Sequence, residues 1–285
     1  GELSFIPSAQ CCSSHRDKMR SEGLLFISQL FLVSCSPEVS PPVGTVKGII
    51  QETINGRRIR SIVSGRSFLG IPYAEPPVGP LRFKDPKPFG PWNDVLNATS
   101  PPNKCLQSNK RGVGNEDCLY LNVHTPELSQ NDKLDVIFLI HGGSFQEGFG
   151  HRHGPEYLLD EKNVVLVTMN YRLGVLGFLS LQDDVLPGNM GLKDQLLALK
   201  WVNANIAAFG GDPSRVTLVG CSAGGASVHF HVLSSQSKGL FHKAVALSGT
   251  ALNPWAINRD ARVKTLQISL ALDCPTTIPK QSSNA

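Results

Sequence analysis

The run Arg215-Val-Thr-Leu-Val-Gly220-Cys221-Ser222-Ala223-Gly224-Gly225 constrains this chain more than any other segment. The apolar, β-branched stretch Val216 to Val219 predicts a buried strand, and the periodic sequence Ala226 to Leu233 predicts a helix. The pattern Gly-x-Ser-x-Gly between a strand and a helix is a nucleophile elbow. The turn is so sharp that the serine backbone must be strained. Gly220 and Gly224 remove Cβ atoms that would otherwise clash with the neighbouring strand and helix. The turn lifts the Ser222 hydroxyl over the sheet edge, and the helix N-terminus offers free N–H groups to a developing oxyanion. An ordinary Gly/Ser turn requires neither the strand before it, nor the helix after it, nor the further Gly225.

A second motif lies upstream. Leu134-Asp-Val-Ile-Phe-Leu-Ile140 predicts a buried strand running directly into His141-Gly142-Gly143-Ser144-Phe145. Small residues at a strand end allow backbone N–H groups to turn toward a carbonyl oxygen, the other half of an acyl-transfer site. Either motif alone could be a glycine turn, but both in this order argue for one site.

Longer segments carry a family resemblance. Phe68-Leu-Gly-Ile-Pro-Tyr-Ala-Glu-Pro-Pro-Val-Gly-Pro-Leu-Arg-Phe83, Glu116-Asp-Cys-Leu-Tyr-Leu-Asn122, Asn170-Tyr-Arg-Leu-Gly-Val-Leu-Gly-Phe178 and Phe209-Gly-Gly-Asp-Pro-Ser-Arg215 resemble signatures of the type-B carboxylesterases. These are the serine-esterase branch of the α/β-hydrolase fold, which also contains cholinesterases and insect juvenile-hormone-esterase-like enzymes. The resemblance runs from about Pro42 onward. It implies an α/β fold with a mostly parallel central sheet flanked by helices and a short antiparallel N-terminal part. It implies Ser222 as nucleophile and the backbone N–H groups of Gly143, Ser144 and Ala223 as the oxyanion hole. The family often has a third glycine where this chain has Ser144, whose N–H remains but whose side chain narrows the pocket.

Composition narrows the setting. The 285 residues are 41% hydrophobic, enough for one substantial core. The net charge of +4 comes without a dense Lys/Arg run, so charge offers no case for nucleic acid binding. Met19-Arg-Ser-Glu-Gly precedes the apolar core Leu24 to Val33, with small residues at Ser34 to Ser36. That is signal-peptide form, too short for a stable membrane span. Residues 1–18 read as non-native or upstream leader, 19–36 as signal peptide and 37–285 as the N-terminal part of a single carboxylesterase domain, which predicts a secreted protein.

Cysteines fit that compartment. Cys105 and Cys118 bracket a polar loop and predict a disulfide, as the resemblance also implies; closing so short a loop contributes about 3 kcal/mol. Cys221 is expected as a small buried side chain and Cys274 has no evident partner. Asn97-Ala98-Thr99 is a glycosylation sequon. No metal-ligand spacing appears, and no metal or other cofactor is expected.

Along the chain, short antiparallel strands are predicted at 44–52, 57–64 and 67–73, then Pro-rich loops from 76 to 102. Strands at 119–124, 135–140, 164–170, 215–219 and 244–248 follow, with helices at 192–208, 226–233 and 259–272. Alternating strands and helices argue for a largely parallel sheet.

The triad in this fold runs serine, then Asp/Glu, then His. After Ser222 the chain has no Glu, Asp only at Asp260 and Asp273, and His229, His231 and His242 before both. His229 and His231 lie seven and nine residues along the predicted helix, about 10 Å or more from Ser222 at about 1.5 Å per residue. They read as packing or surface histidines, and His141 as structural. The resemblance therefore implies that the acid and the histidine lie beyond Ala285, in an incomplete C-terminal half.

Choline-ester hydrolases of the family place an acid before the nucleophile and an aromatic in the disulfide loop. Here Cys221 stands there and 106–117 holds no aromatic residue, so a quaternary ammonium has little to bind. The expected partner is a small, neutral, apolar carboxylic ester, cleaved through an acyl-enzyme. The other reading is a non-catalytic esterase-like binding or adhesion module, which would have no need of Ser222 and the His-Gly-Gly loop.

Overall fold

The structure, a computed structural model, describes residues 36–53, 63–107, 112–126, 133–152, 154–155, 158–161 and 164–274. The expected leader, nearly all of the signal segment and most of the strand expected at 57–64 lie outside the described residues.

The described residues form ten strands: β1 (Glu38–Val39), β2 (Val46–Lys47), β3 (Ile49–Thr53), β4 (Val63–Pro72), β5 (Leu96–Asn97), β6 (Tyr120–Thr125), β7 (Leu134–Ile140), β8 (Val164–Met169), β9 (Gly211–Cys221) and β10 (Lys243–Leu247). The helices are α1 (Leu158–Glu161), α2 (Gly174–Phe178), α3 (Met190–Asn205), α4 (Ala223–Leu233) and α5 (Ala261–Ala271). Seven strands form the main sheet in the order β10-β9-β7-β8-β6-β4-β3. The side that follows strand–helix alternation is parallel: β8 with β7, β7 with β9, and β9 with β10. The antiparallel part reaches one strand further than the sequence predicts, because β6 pairs antiparallel with both β4 and β8.

The strand expected at 44–52 divides in two. β2 joins a small sheet with β1 and β5, while β3 joins the main sheet. Gly48 marks the crossing: a side chain there would meet the Ser67 carbonyl and the Phe68 ring. β5 lies inside the stretch expected as loop, since a two-residue strand leaves no periodic signal. Across Ser64 to Ser67, β4 runs without a break.

Parallel strands buried on both faces need near-continuous apolar runs. β8 meets this with Val165, Leu166, Val167 and Met169, all buried, and β7 with Val136, Phe138 and Ile140. On α3, Leu196, Leu199 and Val202 turn inward at helical spacing. The same inner face carries Asp194, which is fully buried. Arg172 holds it with two guanidinium hydrogen bonds of 2.7 and 2.8 Å and a backbone N–H at 3.0 Å. Removing one partner of such a pair strands a buried charge at a cost of about 3–5 kcal/mol. The pair therefore fixes α3 to the segment that leaves β8.

The buried His124 on β6 faces Ser67 on β4 across one hydrogen bond of 2.8 Å. Burial lowers its pKa to about 4. Unfolded histidine titrates near 6.5, so between the two values the unfolded chain holds the extra proton and stability rises with pH. Urea unfolding should therefore show stability lost as pH falls from about 6.5 to about 4, with His124 contributing about 3 kcal/mol. A His124→Gln variant should lose that share of the slope, whatever its stability at pH 7.

Candidate active site

The elbow forms where the sequence places it. β9 ends at Cys221, α4 begins at Ala223, and Ser222 sits between them at φ 58°, ψ −120°. That conformation is strained for any residue with a Cβ and costs on the order of 1–3 kcal/mol. Backbone bonds on both sides hold it: Ser222 N–H donates to the Leu247 carbonyl at 2.8 Å, and Ala226 N–H donates to the Ser222 carbonyl at 3.0 Å. Glycines make the approach possible. A methyl at Gly224 would strike the Ile140 carbonyl, one at Gly220 would strike the Gly224 backbone, and one at Gly249 would strike the Ser222 carbonyl. α4 starts three residues earlier than the apolar pattern predicts, since Ala223, Gly224 and Gly225 carry too little side chain to give a period.

The loop from His141 to Gly150 packs onto this turn. A methyl at Gly142 would collide with the Cys221 carbonyl and lie 3.3 Å from Ser222 Cβ. Three successive residues then take positive φ: Gly143 at 120°, Ser144 at 56° and Phe145 at 58°. The turn closes with Gln146 and Glu147 N–H both donating to the Gly143 carbonyl. Among the described residues, neither Gly143 N–H nor Ser144 N–H donates to another group. Helix geometry leaves the Ala223 N–H without an intrahelical partner as well. Three backbone donors near one serine can serve a tetrahedral oxyanion.

The loop is anchored along its length. The His141 ring stacks on Tyr171 with centroids 4.4 Å apart, and the buried Tyr171 hydroxyl donates to the His141 carbonyl at 2.9 Å. Gly174 N–H donates to the Phe145 carbonyl at 2.7 Å. Asn170 Oδ1 accepts from Gly150 N–H at 2.7 Å. The sequence marks Asn170 and Tyr171 only as part of a motif, and gives no sign of these contacts.

The three downstream histidines are engaged elsewhere. His229 Nδ1 accepts from Ala251 N–H at 3.2 Å, and the exposed His242 has its Nδ1 3.4 Å from Val216 N. His231 is buried. Its Nε2 donates to Gln195 Oε1 at 3.1 Å, so its Nδ1 accepts from Ser237 at 2.9 Å. Gln195 Nε2 donates to Ser227, which donates to the Ala223 carbonyl. Burial lowers the His231 pKa to about 4, and this chain of bonds fastens α3 beneath the elbow helix. Among the described residues, no side chain hydrogen-bonds Ser222 Oγ.

Cys105 and Cys118 are joined by a disulfide. Asn97 is exposed on β5. Cys221 is exposed rather than buried, against expectation. It shares a face of β9 with Thr217 and Val219, which are only half-covered, whereas Val216 and Leu218 on the other face are buried. No group of three or more His, Cys, Asp or Glu is placed to hold a metal among the described residues. No helix among them is long and apolar enough to cross a membrane.

A model of the carboxylesterase family matches residues 35–284. The chain belongs to the carboxylesterase family. Its fold is accordingly the α/β-hydrolase fold. Esterase FE4 of Myzus persicae is 50% identical over 269 residues, covering 89% of this chain and 47% of the relative. A juvenile hormone esterase of Tribolium castaneum is 46% identical over 260 residues, covering 87% and 43%. Acetylcholinesterase 1 of Caenorhabditis elegans is 50% identical over 207 residues, covering 67% and 33%. This carboxylesterase-family chain thus spans about half the length, or less, of the curated relatives it matches.

Ser222→Gly should relieve the strain at this position. Denaturant unfolding should show that variant about 1 kcal/mol more stable than wild type. Gly142→Ala, which drives a methyl into the Cys221 carbonyl, should be less stable than wild type.

Proposed function

We propose that this chain is the nucleophile-bearing portion of a secreted serine esterase. The enzyme cleaves small, neutral, apolar carboxylic esters through an acyl-enzyme on Ser222. The observation that carries the reading is the strained Ser222 turn packed against the Gly142-Gly143-Ser144 backbone. A binding module has no use for a nucleophile held at an energetic cost beside backbone donors left without partners.

In this reading Ser222 Oγ attacks the ester carbonyl and the oxygen charge passes to the N–H groups of Gly143, Ser144 and Ala223. The alcohol leaves with a proton, and water repeats the sequence on the acyl-enzyme. The attacking hydroxyl needs a general base, worth about 10² to 10⁴ in rate. Among the described residues none of His229, His231 and His242 hydrogen-bonds Ser222 Oγ, and in this reading the base and its acid come from the part of the protein that this chain does not span. The length of the relatives supports this. Taken alone, residues 37–285 should turn over ester no faster than their Ser222→Ala counterpart.

Neutral esters are favoured because a cysteine, Cys221, and not an acid precedes the nucleophile, and no aromatic residue stands in 106–117. Secretion is supported by the Cys105–Cys118 bridge and by Asn97, which is exposed and open to glycosylation. The expected signal segment, 19–36, would be removed on the way.

The test uses the complete enzyme expressed from Met19 in a secretory host. An organophosphate should label the peptide containing Ser222, and label persisting in Ser222→Ala would contradict the assignment. kcat should fall by several orders of magnitude in that variant, with residual rate from the oxyanion hole. A short-chain nitrophenyl ester should be a better substrate by kcat/KM than an acylthiocholine. Peptide mapping of the same material should find the Cys105–Cys118 bridge; free thiols at both would refute the secretion reading.

A further inference from the structure

We propose that Gln107 is a positioning residue for the oxyanion loop, acting from within the disulfide-closed segment. The inference rests on the esterase reading above and adds to it a residue that contacts no substrate. Gln107 lies two residues after Cys105 and 41 residues before Gly148, yet its side-chain amide pairs with the Gly148 backbone in both directions. Nε2 donates to the Gly148 carbonyl at 3.0 Å, and Oε1 accepts from Gly148 N–H at 3.2 Å. Nε2 also donates to the Cys105 carbonyl at 3.0 Å, which ties the amide to the bridge itself. The amide thereby takes the place of a neighbouring strand for one residue of the loop.

Gly148 is the residue through which such a hold reaches the site. It has φ 119°, and a Cβ on it would collide with the His141 ring and the Gly142 carbonyl. It therefore packs directly against the beginning of the segment whose next two residues carry the free N–H groups. The other end of the disulfide segment contributes as well. Asn170 Nδ2 donates to the carbonyls of Asn103 and Cys118 while its Oδ1 holds Gly150 N–H. Two side-chain amides thus fasten the far end of the oxyanion loop to the two ends of the bridge. The bridge acts as a strut: it fixes Gln107, and Gln107 keeps Gly148 pressed on His141 and Gly142. Such a strut matters little for substrate binding and much for the alignment of donors in the transition state, where a displacement of about 1 Å can cost about 10² in rate.

Kinetics of Gln107→Leu and Gln107→Glu in the complete, secreted enzyme test this. Gln107→Leu keeps much of the apolar bulk, is one atom shorter, and loses every hydrogen bond of the amide. It should lower kcat about 10- to 100-fold while KM for a short-chain nitrophenyl ester moves less than about threefold. Affinity for a trifluoromethyl ketone, whose adduct carries the oxyanion, should fall in parallel with kcat. Gln107→Glu keeps the acceptor for Gly148 N–H but sets a carboxylate against two carbonyls. Once protonated it donates again, so its rate relative to wild type at the same pH should recover as pH is lowered. Thermal unfolding and mapping of the Cys105–Cys118 bridge separate a misfolded variant from a misaligned one. An unchanged kcat in Gln107→Leu, or equal losses in both variants at every pH, would overturn the role of Gln107 alone. A wild-type enzyme without Ser222-dependent turnover would overturn the esterase reading, and this inference with it.

Discussion

Three backbone segments meet at Ser222 more closely than any Cβ would allow, and the rest of the site depends on that approach. The end of β7, the turn after β9 and the segment after β10 touch through Gly142, Gly220, Gly224 and Gly249. Each glycine gives up packing area and adds conformational entropy to the unfolded chain. In exchange, the Ser222 carbonyl, the helix start and the loop from His141 to Gly150 share one small volume. A methyl at Gly142, Gly224 or Gly249 would drive the segments apart, and one at Gly220 would distort the turn itself.

The strain this creates is local and is held by parts of the molecule that do no chemistry. Ser222, Ser144 and Phe145 all have positive φ. The restraint comes from Leu247 across the sheet, from Tyr171 and Gly174 after β8, and from α3 through the bonds linking Gln195, Ser227 and Ala223. α3 is in turn locked by the buried Arg172–Asp194 pair. The organisation is a rigid frame carrying a few costly conformations, which fits the proposed role of presenting dipoles to a charge existing only in the transition state.

The elbow was legible in the sequence because its determinants are local: an apolar run, two glycines at fixed spacing and a periodic helix. The parallel half of the sheet was legible for the same reason. What escaped was made by short or distant contacts. β1, β2 and β5 are two residues long and cannot show a period. The break falls at Gly48, where any side chain would meet Ser67 and Phe68 on β4, far away in sequence. Asp194 and Gln195 stand on the apolar face of α3, and that misplaced polarity was a signal that could have been read. Gln107 gave none: a glutamine in a polar loop is unremarkable until Gly148 is folded against it. The exposure of Cys221 depends on how far a sheet face is covered, which a local pattern does not record.

The central claim is that Ser222 and the backbone of Gly143, Ser144 and Ala223 together receive the tetrahedral adduct of an ester carbonyl. A crystal structure of the complete enzyme with a trifluoromethyl ketone tests it most directly. The account predicts a covalent bond from Ser222 Oγ to the carbonyl carbon. It also predicts that the resulting oxygen lies about 2.7–3.1 Å from those three backbone nitrogens. An inhibitor bonded to another residue, or a Ser222 adduct whose oxygen points away from all three N–H groups, would contradict it.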